Sequence, residues 1–483
     1  MGKLYVIGLG GTGARVLKSL TMLMSAGVKV SADQLIPILI DSDLKNGDLE
    51  RTIKQLHLYQ DISALLNANQ LPEGSFFSNS ILSLRGGFMP DAPTAIFSHT
   101  LKELLGVPYL QNVKGEEDEN KALLDALFSE KELQFKCVDG FEGKAKIGSL
   151  LFQEFLNHEF KKNVCQSFEE GDKIFIIGST FGGTGAAGIP QLIDRLRHIS
   201  ENDYPNASLI KNSQIGAIYV LPYFKVEQED ESPIDSFTFT SKSKSTLKYY
   251  LGSGVNNLLD YLYTIGDTAG AKMYPNCRGG AQQKNPAHFV EMIAALSIWH
   301  FSTQNLQAEN WEKRMVRYLE YGLENDVDVV TLDDLPLTTQ RVLERPLISY
   351  YLFCLFILNA PYIGTAESWK KKIGFEDEAS IELMKQIAHY YIDWLQELAD
   401  NTRSFAPFYL DGSNDNFFDF IKGVVTRKQM WTDKIVKLDG YKYINQTLNR
   451  LADKVDKGAS AHEQFFQLFH RALSLIVDEK YGY

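Results

Sequence analysis

Two glycine-rich turns, each lying directly between a short apolar β-prone run and a helical one, constrain this chain more than any other feature. The first follows Lys3 to Ile7 (KLYVI) and reads Gly8-Leu9-Gly10-Gly11-Thr12-Gly13, after which Ala14 to Met24 resumes with apolar residues at helical spacing. The second follows Lys173 to Ile177 (KIFII), reads Gly178-Ser179-Thr180-Phe181-Gly182-Gly183-Thr184-Gly185-Ala186-Ala187-Gly188, and leads into IPQLIDRLRHI. A turn that leaves a strand and enters a helix points unpaired N–H groups outward at the positive end of the helix dipole, where an anion is stabilised. Glycines let a phosphate approach the backbone and permit tight turns, and Thr12 and Thr184 add short hydroxyl donors. No Lys-Ser or Lys-Thr follows either set of glycines, so neither is a Walker A loop. Charge neutralisation would come from amides, helix dipoles and Mg²⁺. Taken singly, the first turn fits NAD, FAD or ATP, or a helix packed tightly on a strand. One dinucleotide fingerprint explains only that first turn, so the pair implies a polyphosphate gripped from two sides.

The segments around these turns predict an α/β fold. Leu35 to Ile40 (LIPILI) reads as a buried parallel strand ending in Asp41-Ser42-Asp43, and Ile215 to Leu221 and Leu259 to Ile265 read as further strands. This alternation predicts a mostly parallel, Rossmann-like sheet covered by helices. Leu44 to Lys136 reads as an insertion of mixed helices and loops. Pro286 suits a first helical turn with Asn285 as its cap, opening a long helix from Ala287 to about Leu323. From Leu337 onward the period is helical. The expected division is a nucleotide-binding domain over 1–275, a long connecting helix region over 276–325 and a mainly helical C-terminal domain over 326–483.

Composition narrows the partners. With 61 acidic against 49 basic residues the net charge is -12, which repels phosphate backbones and anionic lipid over most of the surface. Neither nucleic acid nor a membrane is expected as a partner. The most apolar stretch, Leu347 to Leu358 (LISYYLFCLFIL), runs about twelve residues where a bilayer needs about 20, and reads as a buried core helix. The N-terminus MGKLYVIGLGG has no apolar segment followed by a cleavage site. Cys137, Cys165, Cys277 and Cys354 form no C-x-x-C pair, and a reducing cytoplasm is the expected compartment. No G-x-S-x-G elbow or H-E-x-x-H pair points to a hydrolase or zinc enzyme. A Rossmann oxidoreductase or an adenylating enzyme would use a turn like the first one, but neither predicts GGTGAAG after a later strand.

The order of these motifs resembles that of the tubulin and FtsZ superfamily, in particular the bacterial tubulin-like proteins, over about Met1 to Asp334. Gly8 to Arg15 stands where FtsZ has a loop like GVGGGGGNA, and Asp41-Ser42-Asp43 where it has one like NTD. Gly140 to Gly148 is similar to GAGGNPEVG, Phe181 to Ala187 to GGGTGTG, and Val220 to Phe224 to a Thr-x-Pro-Phe loop at the ribose side. The resemblance implies GTP with Mg²⁺. Gly10, Gly11, Thr12 and Gly13 would contact the α and β phosphates, Gly182, Gly183, Thr184 and Gly185 the β and γ phosphates, and Gly143 would sense the γ phosphate. Asp41 or Asp43 would hold the metal, Asp43 being the metal residue of choice, although a carboxylate at that place also suits a ribose. Asn285 resembles a base-contacting position. Hydrolysis in the family uses acids in a loop like NLDFAD that enters the neighbouring subunit's site. Here Thr331-Leu332-Asp333-Asp334-Leu335-Pro336 is nearest, so Asp333 and Asp334 are the candidate catalytic acids, with Pro336 in place of the second family acid. Self-association into an oligomer or filament is implied, a further protein partner is compatible with it, and hydrolysis is conditional on assembly. Arg15 replaces the family Asn that reaches guanine. A nucleotide-gated scaffold without hydrolysis is the alternative.

Overall fold

The computed structural model describes residues 2–67, 71–84, 87–89, 99–106, 116–135, 141, 144–156, 161–200, 204, 206–228, 236–267, 272–277, 279–306, 310–322, 327–359, 368–410, 417–424 and 440–482. Its strands in chain order are β1 (Leu4–Leu9), β2 (Leu35–Ile40), β3 (Lys173–Ser179), β4 (Gln214–Val220), β5 (Phe224–Val226), β6 (Tyr261–Ile265), β7 (Lys272–Tyr274), β8 (Arg317–Glu320), β9 (Val329–Val330) and β10 (Ser404–Phe405). Six of them form one sheet in the order β2-β1-β3-β4-β6-β8, and every pairing in it is parallel. The remaining four make two small parallel pairs, β5 with β7 and β9 with β10. Around the strands run α1 (Gly10–Ser25), α2 (Gly47–Ser63), α3 (Ala145–Phe155), α4 (Gly183–Arg197), α5 (Phe239–Ser253), α6 (Phe289–Thr303), α7 (Leu337–Asn359), α8 (Glu378–Ala399), α9 (Gly440–Leu451) and α10 (Ala461–Tyr481), with shorter helical segments between them.

The near-continuous apolar runs of the strands are explained by cover on both faces. Along β1, Leu4 and Val6 belong to the apolar cluster that includes α1 and α6, while Tyr5, Ile7 and Leu9 belong to the cluster on the other face, with α4. β3 alternates in the same way, Phe175 and Ile177 against Ile174 and Ile176. β2 lies at the end of the sheet and contains Pro37, which has no N–H to donate. Leu35 N and Leu39 N donate outward, to Ser80 O and Phe88 O, so Pro37, between them in the same phase, loses no ladder bond. Those same contacts cover the edge.

The C-terminal helices do not stand apart from this core. α7, α8 and α10 pack on one another through rings, with Tyr350 and Tyr391 centroids 4.7 Å apart and Phe353 and Phe469 5.2 Å apart. Phe76 reaches Tyr350 at 5.0 Å, and Trp394 Nε1 donates to Ser19 Oγ of α1 at 3.2 Å. One apolar cluster therefore runs from the sheet through α1 and α2 into the C-terminal helices. By length and composition α7 is apolar enough to cross a membrane, but most of its apolar window is buried inside the protein.

The helix expected from Ala287 to about Leu323 is shorter than its pattern suggested. His288, not Asn285, caps α6: its ring accepts from Val290 N, and Glu291 closes the capping box. At the other end Lys173 Nζ donates to Ser302 O, Gln304 O and Asn305 Oδ1, which satisfies terminal carbonyls that a continuing helix would have used. The charged segment beyond turns back as β8, drawn onto β6 by Arg317 N donating to Asp260 O and by Arg314 pairing with Asp260.

Candidate functional site

From β1 the chain crosses to β2 on one side, and β3 leads to β4 on the other, so the direction of winding reverses between β1 and β3. In an open parallel sheet the crevice outside the strand ends at such a reversal is where ligands bind. Both glycine turns lie there. Gly10, Gly11 and Thr12 and, facing them, Gly182, Gly183, Thr184 and Gly185 line one cleft of about 170 Å³. The turns touch: a Cβ on Gly10, whose φ of +69° suits glycine, would sit 3.1 Å from Thr184 Cβ. The glycines divide by role. A Cβ on Gly13 would come within 2.5 Å of the Gly8 backbone, and one on Gly185 within 2.6 Å of Ser179 N, so these two let each helix lie close on its strand. Gly13 accordingly does not line the cleft. A Cβ on Gly11 would meet nothing closer than Arg15 Nη1 at 3.6 Å, so its bare backbone faces open space.

Among the described residues no side chain caps either helix that starts here: α1 begins after Leu9 and α4 after Gly182, neither of which supplies a side-chain cap, and neither first turn holds an acid. By contrast Asn46 caps α2, His288 caps α6, Asp377 caps α8 and Ser460 caps α10. Buried N–H groups normally find partners. Two uncapped N-termini opening into one cleft therefore make a site for a ligand with several anionic oxygens.

The loop after β2 supplies two buried carboxylates. Among the described residues Asp41 accepts long bonds from Thr184 Oγ1 and from Asp43 N, both at 3.3 Å. Burial, with Asp43 as a lesser contributor, pushes its pKa up to about 7, because burial disfavours the charged form. Asp43 is engaged more closely, with Oδ2 accepting from Gly280 N at 2.6 Å and Oδ1 from Lys45 N at 3.2 Å. The expected metal residue thus also pins the loop at Gly280, and the weakly satisfied acid is its neighbour Asp41. A divalent cation beside Asp41 would answer that deficit.

Asn285 lines the cleft but does not open a helix. Asp48 Oδ2 accepts from its backbone N at 3.3 Å, Arg51 Nη2 donates to its carbonyl at 2.6 Å, and its side-chain amide makes no hydrogen bond among the described residues. Gln283, Phe224, Lys242 and Cys277 complete that end of the cleft. Phe224 ends the Val220 to Phe224 stretch already likened to a ribose-side loop, whereas motif reading did not single out Gln283, Lys242 and Cys277, which come from separate loops and from α5.

Arg15 is committed to a buried network. Its Nε donates to Glu291 Oε1 at 2.6 Å, Nη1 to Asp48 Oδ2 at 3.1 Å and Nη2 to Tyr223 OH at 2.7 Å, while Tyr223 OH donates to Glu291 Oε1 at 2.6 Å. Asp48 also pairs with Arg51, which reaches Glu397 of α8, as does Lys18 of α1. The cleft is thereby tied to the C-terminal helices. Partners 276 residues apart in the chain leave no local signal of this network.

Asp333 and Asp334 are exposed in the turn between β9 and α7 and do not line the cleft. Asp334 Oδ2 accepts from Thr331 N and Oγ1, both at 2.7 Å, and Asp333 Oδ1 from Gln340 Nε2 at 3.3 Å. Gly143 lies outside the described residues, whereas Phe141 of the same loop lines the cleft.

No protein-family model and no curated protein matches the chain. One similar solved structure is CetZ2 from Haloferax volcanii in a GTPγS-bound protofilament, at 11% identity, over 62% of this chain and 58% of that one, with a TM-score of 0.28. Less than two thirds of that structure's chain is therefore spanned, and a likeness at this level assigns no role to any residue of the cleft.

Proposed function

We propose that the cleft holds a nucleoside triphosphate, GTP with Mg²⁺, and that the chain acts as a tubulin/FtsZ-like GTP-binding protein that self-associates in the cytoplasm, hydrolysing GTP only when assembled. The observation that carries this reading is the convergence of two uncapped helix N-termini, from adjacent strands of one sheet, on a single cleft. Amides of Gly10, Gly11 and Thr12 would take one part of the phosphate chain and those of Gly183, Thr184 and Gly185 the other. Asp41, helped by Asp43, would hold the metal, which when bound would supply positive charge to offset that of the phosphates. The unengaged amide of Asn285 suits the edge of a base. In this reading 1–275 binds nucleotide, and the network from Arg15 to Glu397 couples it to the helices of 326–483.

Hydrolysis would need a carboxylate from a second copy to orient water at the last phosphate, and Asp333 and Asp334 are accessible for that. One observation favours the scaffold reading instead: both bonds that Asp334 accepts come from its own turn, so the acid is tied there rather than presented.

Titration with labelled GTP, ATP and NAD tests the class of ligand. Tightest binding of GTP is expected, and a preference for NAD would end the proposal. Sedimentation in GTP against GDP then tests assembly. A monomer in both would favour the scaffold.

A further inference from the structure

The protein dictates which way one side-chain amide of the glycine-lined cleft is turned, and so whether that amide offers a ligand a donor or an acceptor. An amide oxygen only accepts and an amide nitrogen only donates, so a chain of amides is fixed throughout once its first member is fixed. Asn46 is that first member. As the cap of α2, its Oδ1 accepts from Asp48 N at 2.9 Å and from Leu49 N at 3.2 Å, which turns Nδ2 the other way. Nδ2 donates to Gln283 Oε1 at 2.8 Å. Gln283, half-buried in the wall of the cleft, is therefore held with its oxygen on Asn46. Its Nε2 has no partner among the described residues and is open to water.

The backbone beneath this donor is pinned as well. Gly280 N donates to Asp43 Oδ2 at 2.6 Å, while Gly280 O accepts from Gly47 N at 3.1 Å and from Gln283 N at 3.0 Å. A donor positioned in this way pairs with an acceptor on the ligand and leaves a ligand donor unsatisfied. The common purines differ in that sense at one place: guanine carries O6, an acceptor, where adenine carries an amino group, a donor. Neither Gln283 nor its neighbour Asn285 has the charge that would hold a 2-amino group strongly.

Resting on the reading of this cleft as a nucleoside triphosphate site, we propose that Gln283, positioned by Asn46, sorts purine nucleotides by their 6-substituent, admitting a 6-oxo group and rejecting a 6-amino group, with little regard to the 2-amino group.

Competition titrations of the full chain with GTP, ITP and ATP test this. Wild type should bind GTP about 5- to 150-fold more tightly than ATP, with ITP, which has the 6-oxo group and no 2-amino group, within about fivefold of GTP. Gln283→Glu keeps one oxygen on Asn46 and turns a second toward the cleft. Asn46→Asp keeps the cap of α2 but offers Gln283 an acceptor, so the Gln283 amide turns over and presents Oε1. Each variant adds one negative charge that weakens every nucleotide alike, so the ratio of affinities is the readout, and in both the preference for GTP over ATP should be lost or reversed. If Asn46→Asp fails to fold, Gln283→Glu alone decides. Equal GTP and ATP affinity in wild type, ITP binding like ATP, or the wild-type ratio retained in either folded variant would overturn the assignment. Binding of none of the three nucleotides would also end the reading on which it rests.

Discussion

Gly11→Ala and Gly13→Ala, two residues apart in one turn, should separate ligand binding from folding. At position 13 the new Cβ would lie 2.5 Å from Gly8 C and 2.6 Å from Gly8 Cα. These are backbone atoms that cannot step aside, and overpacking of this kind costs about 1–3 kcal/mol or more. At position 11 the nearest atoms are side-chain nitrogens at 3.6 and 3.9 Å, so the methyl fits, and alanine favours the helix. Stability of Gly11→Ala should stay within about 1 kcal/mol of wild type. The methyl instead occupies the space through which a phosphate would reach the amide. Losing one hydrogen bond to a charged group costs about 1.5–3 kcal/mol, or about 10- to 150-fold in affinity. Urea unfolding and titration with a fluorescent GTP analogue measure the two effects on the same samples. Wild-type affinity in Gly11→Ala would refute the placement of phosphate at the start of α1, and wild-type stability in Gly13→Ala would refute the packing argument.

Arg15→Met leaves Glu291 buried without its cation, while Asp48 keeps Arg51, and should cost about 3–5 kcal/mol in urea unfolding; a loss below about 1 kcal/mol would mean the network is not a unit. Asp41 has a folded-state pKa raised from the usual 3.8 to about 7, so the folded chain binds the extra proton and its stability should fall as pH rises through that window. At most about 4 kcal/mol is involved. Asp41→Asn should abolish that slope relative to wild type and remove the Mg²⁺ dependence of nucleotide binding, and an unchanged slope would reject the assignment. Asp333→Ala and Asp334→Ala should slow phosphate release only at protein concentrations where copies associate, with stability changed by less than about 1 kcal/mol because both acids are exposed; rates equal to wild type for both would take these residues out of the reaction.

Strands buried on both faces carry their signature in the chain, and LIPILI over 35–40 is β2 to the residue. KLYVI and KIFII likewise mark β1 and β3, which extend two residues further, into the glycine turns. The stretch WEKRMVRYLEYGLE misled because a mostly exposed edge strand of four residues offers neither a clean two-residue nor a clean helical period, and its position depends on Asp260, far back in the chain. At the site, the glycine turns were legible because their chemistry is local. What a motif cannot convey is which glycine serves packing: Gly13 and Gly11 look alike until Gly8 is seen against the first. Nor could spacing reveal that Asn285 is held by Asp48 and Arg51 while His288 does the capping. The bond from Gly280 N to Asp43 likewise leaves no trace in the spacing.

The structure of the chain with Mg²⁺ and GTPγS tests the central claim most directly. The account predicts one phosphate chain within hydrogen-bonding distance of Gly11 N on one side and of Thr184 N on the other, with the cation beside Asp41. Phosphates held by a single turn while the other stays unliganded, or nucleotide bound anywhere outside this cleft, would contradict it.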